Sequence, residues 1–425
     1  MSPIDQLIYP RYLLQFEQAE PGSKPQAQVQ PNLGVAIHGR NIVAIDSRAA
    51  LSDQYQPSAT LELPDHLLMP GLVNACSHAL GITNRNTAQP GDIFAGGLIG
   101  SVNSTSPRLS DDELFAAAQL AFTEMLLAGT TTCADMSTHS EVVARAAEAA
   151  GIHAQISVPI TAQANTWTQS AQEGLDRALA LHDHYARHPR IGIGFGLPDL
   201  AQLDRETLTK VAMYAEELNL QVQVLLQQSP AHVLAIEDRH GCSGIALLEQ
   251  HGLLGTQLQA VHVNALDAAD LELLRRYAVA VVHCPHRYAQ QMRPWSWSQF
   301  GAGVESGVES GADATQPVGL GTGGYGMNYY ADLFHSIEQL DSTAIYQATQ
   351  GSAQVMGLDD NIGALAVGKL ADLAALDLRL LDAGIDANTI NMDVPSLLLR
   401  GRANQAVSYV WVAGSVVAAG HRPTT

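Results

Sequence analysis

Three polar side chains able to bind a metal or a ligand follow one largely apolar run near the start of the chain. Asn74, Cys76 and His78 end that run and occupy every second position. Alternate residues of a strand point to the same side, so the three share one face if the run is a strand. A thiol and an imidazole at this spacing are consistent with a pair of zinc ligands or with a cysteine nucleophile activated by a neighbouring histidine. They are equally consistent with a structural role, in which Cys76 fills core volume and His78 forms a local hydrogen bond.

Two further histidines end apolar runs later in the chain, at His262 and His283. Cys284, His286 and Arg287 follow the second of these runs, where a thiol and two basic side chains form a candidate anion-binding cluster. If His262 converges on Cys76 and His78, the three side chains provide three zinc ligands with one coordination position open.

Apolar runs of strand type alternate with helical segments through the middle of the chain, a pattern typical of a parallel sheet with crossover helices. We predict strands at 72–78, 130–135, 153–159, 191–196, 221–227, 258–264, 279–284 and 317–323. Eight such units favour a (β/α)8 barrel, in which the active site lies at the carboxyl ends of the strands. Cys76, His78, His262 and His283 fall at or near those ends.

Helix boundaries are marked between these strands. Ser110 and Glu113 form a capping box before an Ala-rich helix at 114–128, which Gly129 ends. Further helices are predicted at 141–150 and 268–277. Residues 84–107 are rich in Asn, Thr, Ser and Gly and are predicted to form a long loop over the barrel mouth. Residues 298–316 lack the apolar spacing of a crossover helix and are expected to be mobile or disordered.

Short strands without barrel partners lie at both ends of the chain. Residues 33–37 and 42–45 flank a His-Gly-Arg-Asn turn and predict a hairpin. Strand-like runs return at 363–377 and 410–414.

Composition limits the classes of function. The chain has 425 residues, above the roughly 250 to 300 at which single cores stop growing, so a large domain and a smaller one are expected. Its net charge of -20 opposes binding to nucleic acid or anionic membranes. The amino terminus has no targeting segment and no run is long enough to span a membrane, so we expect a cytoplasmic protein. The four cysteines are scattered, which predicts reduced thiols.

The sequence Pro-Gly-Leu-Val-Asn at 70–74 resembles the first barrel strand of the amidohydrolase superfamily, in particular the methylthioadenosine/S-adenosylhomocysteine deaminases and triazine hydrolases. The matching stretches are 69–74, 124–136, 189–196, 260–262, 281–285, 321–322 and 363–377. This resemblance implies a metal-dependent-hydrolase-like distorted (β/α)8 TIM barrel at 67–359. It also implies a small composite β-sandwich made from 1–66 and 360–425, and a homodimer.

The resemblance also assigns positions to a metal centre that this chain has altered. Cys76 and His78 stand at the two strand-one histidine positions, Leu225 at the strand-five histidine and Gly323 at the strand-eight aspartate. Gln228 stands at the position of the proton-shuttling glutamate, and a glutamine cannot exchange a proton near neutral pH. Leu225 and Gly323 have no side-chain donor atom for a metal.

Two positions that bind or polarise the substrate in the family are retained as His262 and His283. We therefore expect a homologue of the ring C–N hydrolases that has lost its metal centre, contains no cofactor and binds a small molecule. One alternative is an active hydrolase of non-peptide C–N bonds that holds zinc on Cys76, His78 and His262. The other is a regulatory or binding subunit.

Overall fold

The structure is a computed structural model. It describes residues 1–17, 25–84, 109–285, 316–324, 332–337, 340, 343–381, 398 and 403–424. The chain divides into two compact units, one formed by Met1–Asn74, Thr123–Thr132 and Asp332–Thr425, the other by Ala75–Phe122 and Cys133–Ala331. The predicted domain boundaries at 67 and 359 stay a prediction. The predicted loop at 84–107 and the stretch at 298–316 lie outside the described residues, apart from residues 84 and 316, so both stay predictions.

Five strands precede the barrel. They are β1 (Ser2–Glu17), β2 (Gln26–Pro31), β3 (Leu33–His38), β4 (Asn41–Ser47) and β5 (Tyr55–Pro70). Strands β3 and β4 pair antiparallel, with Val35 opposite Ile45, and Gly39 in the turn between them has a φ of 59°. Glycine adopts this left-handed conformation without steric cost. The predicted hairpin is confirmed.

Eight parallel strands form a nearly closed barrel, as predicted. Their segments are β6 (Leu72–His78), β7 (Thr130–Asp135), β8 (His153–Pro159), β9 (Ile191–Leu197), β10 (Val222–Leu226), β11 (Leu258–His262), β12 (Ala280–His283), β13 (Val318–Leu320) and β14 (Gly323–Gly324). The first seven pair in sequence order, β13 pairs with β12, and β14 pairs with β6. β13 and β14 are therefore two parts of the eighth strand. The barrel strands are buried almost throughout, as parallel strands covered on both faces are.

The carboxyl-terminal segments continue the sheet of the first strands. They are β15 (Leu373–Asp377), β16 (Val407–Val412), β17 (Ser415–Ala419) and β18 (Arg422–Pro423). β15 pairs antiparallel with β5, so both chain ends build one nine-stranded sheet. Ile8, Leu13 and Trp411 are completely buried in its core. This confirms the fold class, a barrel together with a sheet made from the two chain ends.

Helices lie between the strands in both parts of the fold. Those described are α1 (Arg48–Gln54), α2 (Asp111–Leu127), α3 (Ser140–Ala150), α4 (Ala171–Tyr185), α5 (Arg205–Leu218), α6 (Pro230–His240), α7 (Gly244–Gln250), α8 (Ala268–Arg276), α9 (Leu333–Ile337), α10 (Ala344–Tyr346), α11 (Ser352–Val355), α12 (Leu378–Leu381) and α13 (Ala403–Ala406). Short 3-10 helices at Ala79–Asn84 and Leu200–Gln202 and a π-helix at Gln347–Gly351 complete the set. At the start of α2, the Ser110 backbone N–H donates to a Glu113 carboxylate oxygen at 2.8 Å, which confirms the capping box. Among the helices of the described ranges, none combines the length and apolar character needed to span a membrane.

Candidate functional site

Cys76 and Cys284 bring their thiols together at the carboxyl ends of the barrel strands. Cys76 lies in β6 and Cys284 directly follows β12, and both side chains are completely buried. The hydrogen bond with Cys284 and burial raise the pKa of the Cys76 thiol well above its usual range, while His78 acts in the opposite direction. Cys76 is therefore protonated at neutral pH, which does not favour it as an activated nucleophile.

His78 is held in one orientation at the end of β6. Its Nδ1 atom lies 2.5 Å from the carbonyl oxygen of Met136, and a carbonyl only accepts, so Nδ1 carries the proton. The other ring nitrogen, Nε2, is buried and has no hydrogen-bond partner within the described part of the chain. The contact with Met136 thus fixes the ring through Nδ1 and leaves the buried Nε2 as the other ring nitrogen, the arrangement that a metal-binding histidine has.

The strand-five and strand-eight positions offer no comparable group. Leu225 is buried in β10, and Gly323 begins β14 with a φ of 64° and pairs with Ser77 of β6. The Gln228 backbone N–H donates to Nδ1 of His232 at 3.4 Å. The alkyl side chain of Leu225 and the missing side chain of Gly323 provide no metal ligand. The amide of Gln228 does not transfer protons as a carboxylate would.

A catalytic divalent metal requires more than this donor set provides. A catalytic zinc takes about three protein ligands, and ligating thiols must lose their proton. Of the four ligand positions, only His78 presents a free lone pair, since Cys76 is protonated against Cys284. Within the described ranges, no three His, Cys, Asp or Glu side chains form a group suited to a metal ion. The side chains in the described ranges therefore do not fit a catalytic zinc ion, and zinc on Cys76, His78 and His262 is not favoured.

The two retained histidines both lie at strand ends. His262 ends β11 completely buried, with a φ of 81°, and Val263 follows at 43°. Backbone conformations of this kind cost about 1–3 kcal/mol in residues other than glycine and concentrate at functional sites. The Val263 N–H donates to the Leu226 carbonyl at 3.0 Å, which holds the turn. Burial lowers the pKa of His283 to about 3, so its ring is neutral at physiological pH.

Asp135 is a site residue that the sequence reasoning did not select. It ends β7 and is completely buried, and its Oδ2 atom accepts hydrogen bonds from the Ala79 N–H at 2.6 Å and the Ser77 hydroxyl at 3.0 Å. Burial raises its pKa to about 6, against the opposing effect of hydrogen bonds from Ser137, Ala79 and Ser77. Its position at the carboxyl end of the second barrel strand was the available signal.

Three buried glutamines form a hydrogen-bonded layer inside the barrel, which the sequence reasoning also missed. Gln155 of β8 and Gln259 of β11 exchange two amide hydrogen bonds of 3.0 Å. Gln223 of β10 donates to the Ala75 carbonyl at 2.9 Å and to Oε1 of Gln259 at 3.3 Å. The Oε1 atom of Gln223 is buried without a partner among the described residues. Glutamine is mostly an exposed residue, so its occurrence in apolar strand runs was the signal.

The remaining predicted ligand-binding residues have mixed outcomes. Asn74 is buried in β6 and Cys284 contacts Cys76. His286 and Arg287 lie outside the described residues, so the anion-binding cluster stays a prediction. No described feature tests the catalytic roles of His262 and His283, which also stay predictions.

Comparison with known proteins identifies related chains. The sequence model described as "Amidohydrolase family" matches residues 67–418. A 5-methylthioadenosine/S-adenosylhomocysteine deaminase of Saccharophagus degradans is 29% identical, over 98% of this chain and 92% of its own. One from Teredinibacter turnerae is 31% identical, over 85% and 81%.

Solved structures agree with this placement. An adenosine deaminase from Xanthomonas campestris with bound zinc matches with a TM-score of 0.85 and 26% identity, covering 99% of this chain and 94% of its own. A triazine hydrolase variant matches with a TM-score of 0.81 over 99% and 96%, and at 20% identity it shows the fold alone.

Proposed function

The chain belongs to the amidohydrolase family, and from that premise we propose that it binds an amino-substituted ring compound without hydrolysing it through a metal. The relatives point to the chemistry of ring C–N hydrolases and deaminases, so the expected ligand resembles the substrates of that class. The observation that carries the proposal is the donor set. Leu225 and Gly323 stand where side-chain ligands would be required, and Gln228 stands where a carboxylate would move protons.

A buried acceptor at the site indicates what kind of ligand fits. His78 Nε2 is a buried acceptor atom without a partner in the part of the chain that the structure describes. A buried acceptor left unsatisfied costs about 1–3 kcal/mol, and a ligand N–H removes that cost. A ring with an exocyclic amino group, such as the adenine of methylthioadenosine, provides such donors.

The charge of the site agrees with an uncharged ligand. His283 is neutral because of its low pKa, and Cys76 is neutral because of its high pKa. Asp135, with a pKa of about 6, is the ionisable carboxylate beside Ser77 on β6. A phosphorylated ligand would find no cation among these groups to balance its charge. A neutral nucleoside carries no charge that has to be balanced.

An active metal-dependent deaminase is the second candidate. The orientation of His78 favours it, because Nδ1 donates to a backbone carbonyl and leaves the buried Nε2 as the other ring nitrogen, as in metal sites. Such an enzyme would need ligands beyond His78 and would have to remove the proton of Cys76.

Metal content, ligand binding and turnover distinguish the candidates when measured on the same preparation. The protein is purified with and without added zinc, its zinc content is determined by elemental analysis, and methylthioadenosine is titrated into it by calorimetry while ammonia release is followed. We expect well below one zinc per chain, measurable binding and no ammonia. About one zinc per chain, lost on Cys76→Ala or His78→Ala together with ammonia release, would establish the second candidate.

The oligomeric state belongs to the same proposal. The resemblance implies a homodimer, which light scattering after gel filtration tests directly. A regulatory subunit would instead form a stable hetero-oligomer when co-expressed with an active relative, and a failure to do so removes that alternative.

A further inference from the structure

Three residues at the ends of two neighbouring barrel strands have left-handed backbone conformations. Gln227 directly follows β10 with a φ of 48°, and His262 and Val263, at the end of β11, have φ values of 81° and 43°. None of them is glycine, and a branched side chain such as that of Val263 rarely occupies this region. Strained conformations of this kind persist only where the surrounding contacts impose them. Here those contacts begin at Gln227.

The main chain of Gln227 holds the turn that contains His262. Its carbonyl oxygen accepts hydrogen bonds from the backbone N–H groups of Asn264 and Ala265, both at 3.0 Å. Strands β10 and β11 pair in parallel up to Leu226 and His262, so this carbonyl lies one residue beyond the last pair. The conformation of the His262 turn therefore depends on where the Gln227 carbonyl points.

A buried carboxylate fixes the side chain of Gln227. The Nε2 atom of Gln227 donates to Oδ2 of Asp270 at 2.9 Å, and the Ser243 hydroxyl donates to Oδ1 of Asp270 at 2.7 Å. Gln227 and Asp270 are both buried. A carboxylate accepts at both oxygens, so the amide nitrogen of Gln227 must face it. The amide oxygen is then buried without a partner within the described part of the chain, an orientation that a freely rotating amide would not keep.

We propose that Asp270 is a positioning residue of the ligand site, which through Gln227 keeps His262 in the orientation that contacts a bound ring compound. This inference rests on the proposed function, and it assigns a role to a residue in the first turn of α8 that does not itself touch the ligand. Without the carboxylate, the Gln227 amide turns towards other partners, its carbonyl moves with it, and the strained turn relaxes. The imidazole of His262 then no longer meets the ligand.

Asp270 also takes part in the start of α8, and this second contribution has its own control. The Asp270 N–H donates at 2.8 Å to the side chain of Asp267, the residue that caps the helix. The variant Asp267→Ala removes this cap and leaves the hydrogen bond between Gln227 and Asp270 in place. It therefore measures what a weaker helix start does by itself.

Calorimetric titration with methylthioadenosine tests the proposal. Asp270→Leu removes both acceptor oxygens at similar volume, so we expect the affinity to fall about tenfold, as for one lost hydrogen bond. Asp270→Asn can keep both contacts, because its oxygen accepts from Gln227 and its nitrogen donates to the Ser243 hydroxyl, so its affinity should be unchanged. Asp267→Ala should also bind as the natural chain does. Natural affinity in folded Asp270→Leu, or an equal loss in Asp267→Ala, would overturn the proposal.

The imidazole of His262 can be observed by NMR without any ligand. The protein is labelled with ¹⁵N-histidine, and the ring signals of His262 are identified by their absence in His262→Gln. We expect these signals to shift in Asp270→Leu and to keep their positions in Asp270→Asn and Asp267→Ala. If the natural chain fails to bind methylthioadenosine, the proposed function is wrong, whereas unshifted His262 signals in Asp270→Leu would refute the positioning role itself.

A second variant tests the same contact from the other side, and it also serves if Asp270→Leu does not fold. Gln227→Asn keeps an amide on a residue type that tolerates the left-handed conformation, but its side chain is a methylene group too short to reach Asp270. It should reproduce both the loss of affinity and the shift of the His262 signals. Natural affinity together with unshifted signals in folded Gln227→Asn would overturn the proposal.

Discussion

His78 Nδ1 donates a hydrogen bond to the carbonyl oxygen of Met136 across a distance of 2.5 Å. This contact joins the ends of the first and second barrel strands, and it decides which nitrogen of His78 remains an acceptor. The position of His78, which the resemblance assigns to a family metal ligand, is therefore held by a contact that orients its ring. The hydrogen bond between His78 and Met136 is therefore expected to contribute to the stability of the barrel as well as to ligand binding.

Removal of the His78 ring should destabilise the barrel. His78→Ala leaves the Met136 carbonyl without its donor and opens a cavity, so we expect the free energy of unfolding to fall by about 2–4 kcal/mol. His78→Asn places an amide N–H near the position of Nδ1 and should recover part of this loss. Urea denaturation followed by circular dichroism measures both variants. Equal stabilities of the two variants would show that the hydrogen bond contributes nothing.

The pKa of Asp135 predicts an unusual pH dependence. Its folded-state value of about 6 lies above the value of about 3.9 expected in the unfolded chain, so between these values the native state binds more protons. Stability from this group is therefore fully present below pH 4 and is lost as the pH rises towards 6. The size of the loss is on the order of 2–3 kcal/mol.

Asp135→Asn isolates that contribution. The variant keeps an oxygen for the Ala79 N–H but cannot ionise, so its stability relative to the natural chain should improve from pH 4 to pH 7. Denaturation curves at half-unit steps of pH measure the difference. His283, whose pKa is lowered, contributes in the opposite sense, and taking the difference between variant and natural chain removes its effect. Asp53→Asn, at an exposed position, is measured in the same way as the control, and a flat curve for Asp135→Asn would contradict the assignment.

The sequence was sufficient for the barrel because each strand is an apolar run bounded by a turn or a helix cap. The predicted bounds of β6, β7 and β8 coincide with the observed ones, and the capping box at Ser110 starts α2 as expected. The prediction of the eighth strand was less accurate. Its glycines at 321, 323 and 324 carry no periodicity, and the observed strand is divided between β13 and β14.

For the site, the sequence predicted only residues whose side-chain type is itself suggestive of chemistry. Cys76, His78 and His283 were found because thiols and imidazoles are conspicuous in apolar runs. The contact between Cys76 and Cys284 was not found, because the two residues lie far apart in the chain and only the closure of the barrel brings them together. Asp135 was missed because a single carboxylate has no spacing to mark it.

The glutamine layer should be cooperative. Gln259→Leu removes the partner of Gln155 and one acceptor of Gln223, leaving buried amide groups unsatisfied, so we expect a loss of about 2–5 kcal/mol. In the double variant Gln155→Leu with Gln259→Leu, both partners of the reciprocal pair are apolar. The double variant should therefore lose less than the sum of the single ones.

Urea denaturation of the two single variants and the double variant gives the coupling energy. Exposed Gln54→Leu is the control and should change stability by less than about 0.5 kcal/mol. Additive losses would mean that the two amides do not depend on each other.

Restoring the family's side chains should restore a metal site if the scaffold around it is intact. The variant Cys76→His, Leu225→His, Gln228→Glu and Gly323→Asp returns imidazoles to strands one and five and carboxylates to strands five and eight. Asp is among the few residues that tolerate the left-handed conformation, so the φ of 64° at Gly323 does not exclude it. His78 is already oriented by Met136.

Elemental analysis of the fourfold variant should then give about one zinc per chain, against well below one for the natural protein and for the matched variant that keeps Gly323. A folded fourfold variant that binds no zinc would mean that the groups supporting the ligands have changed as well.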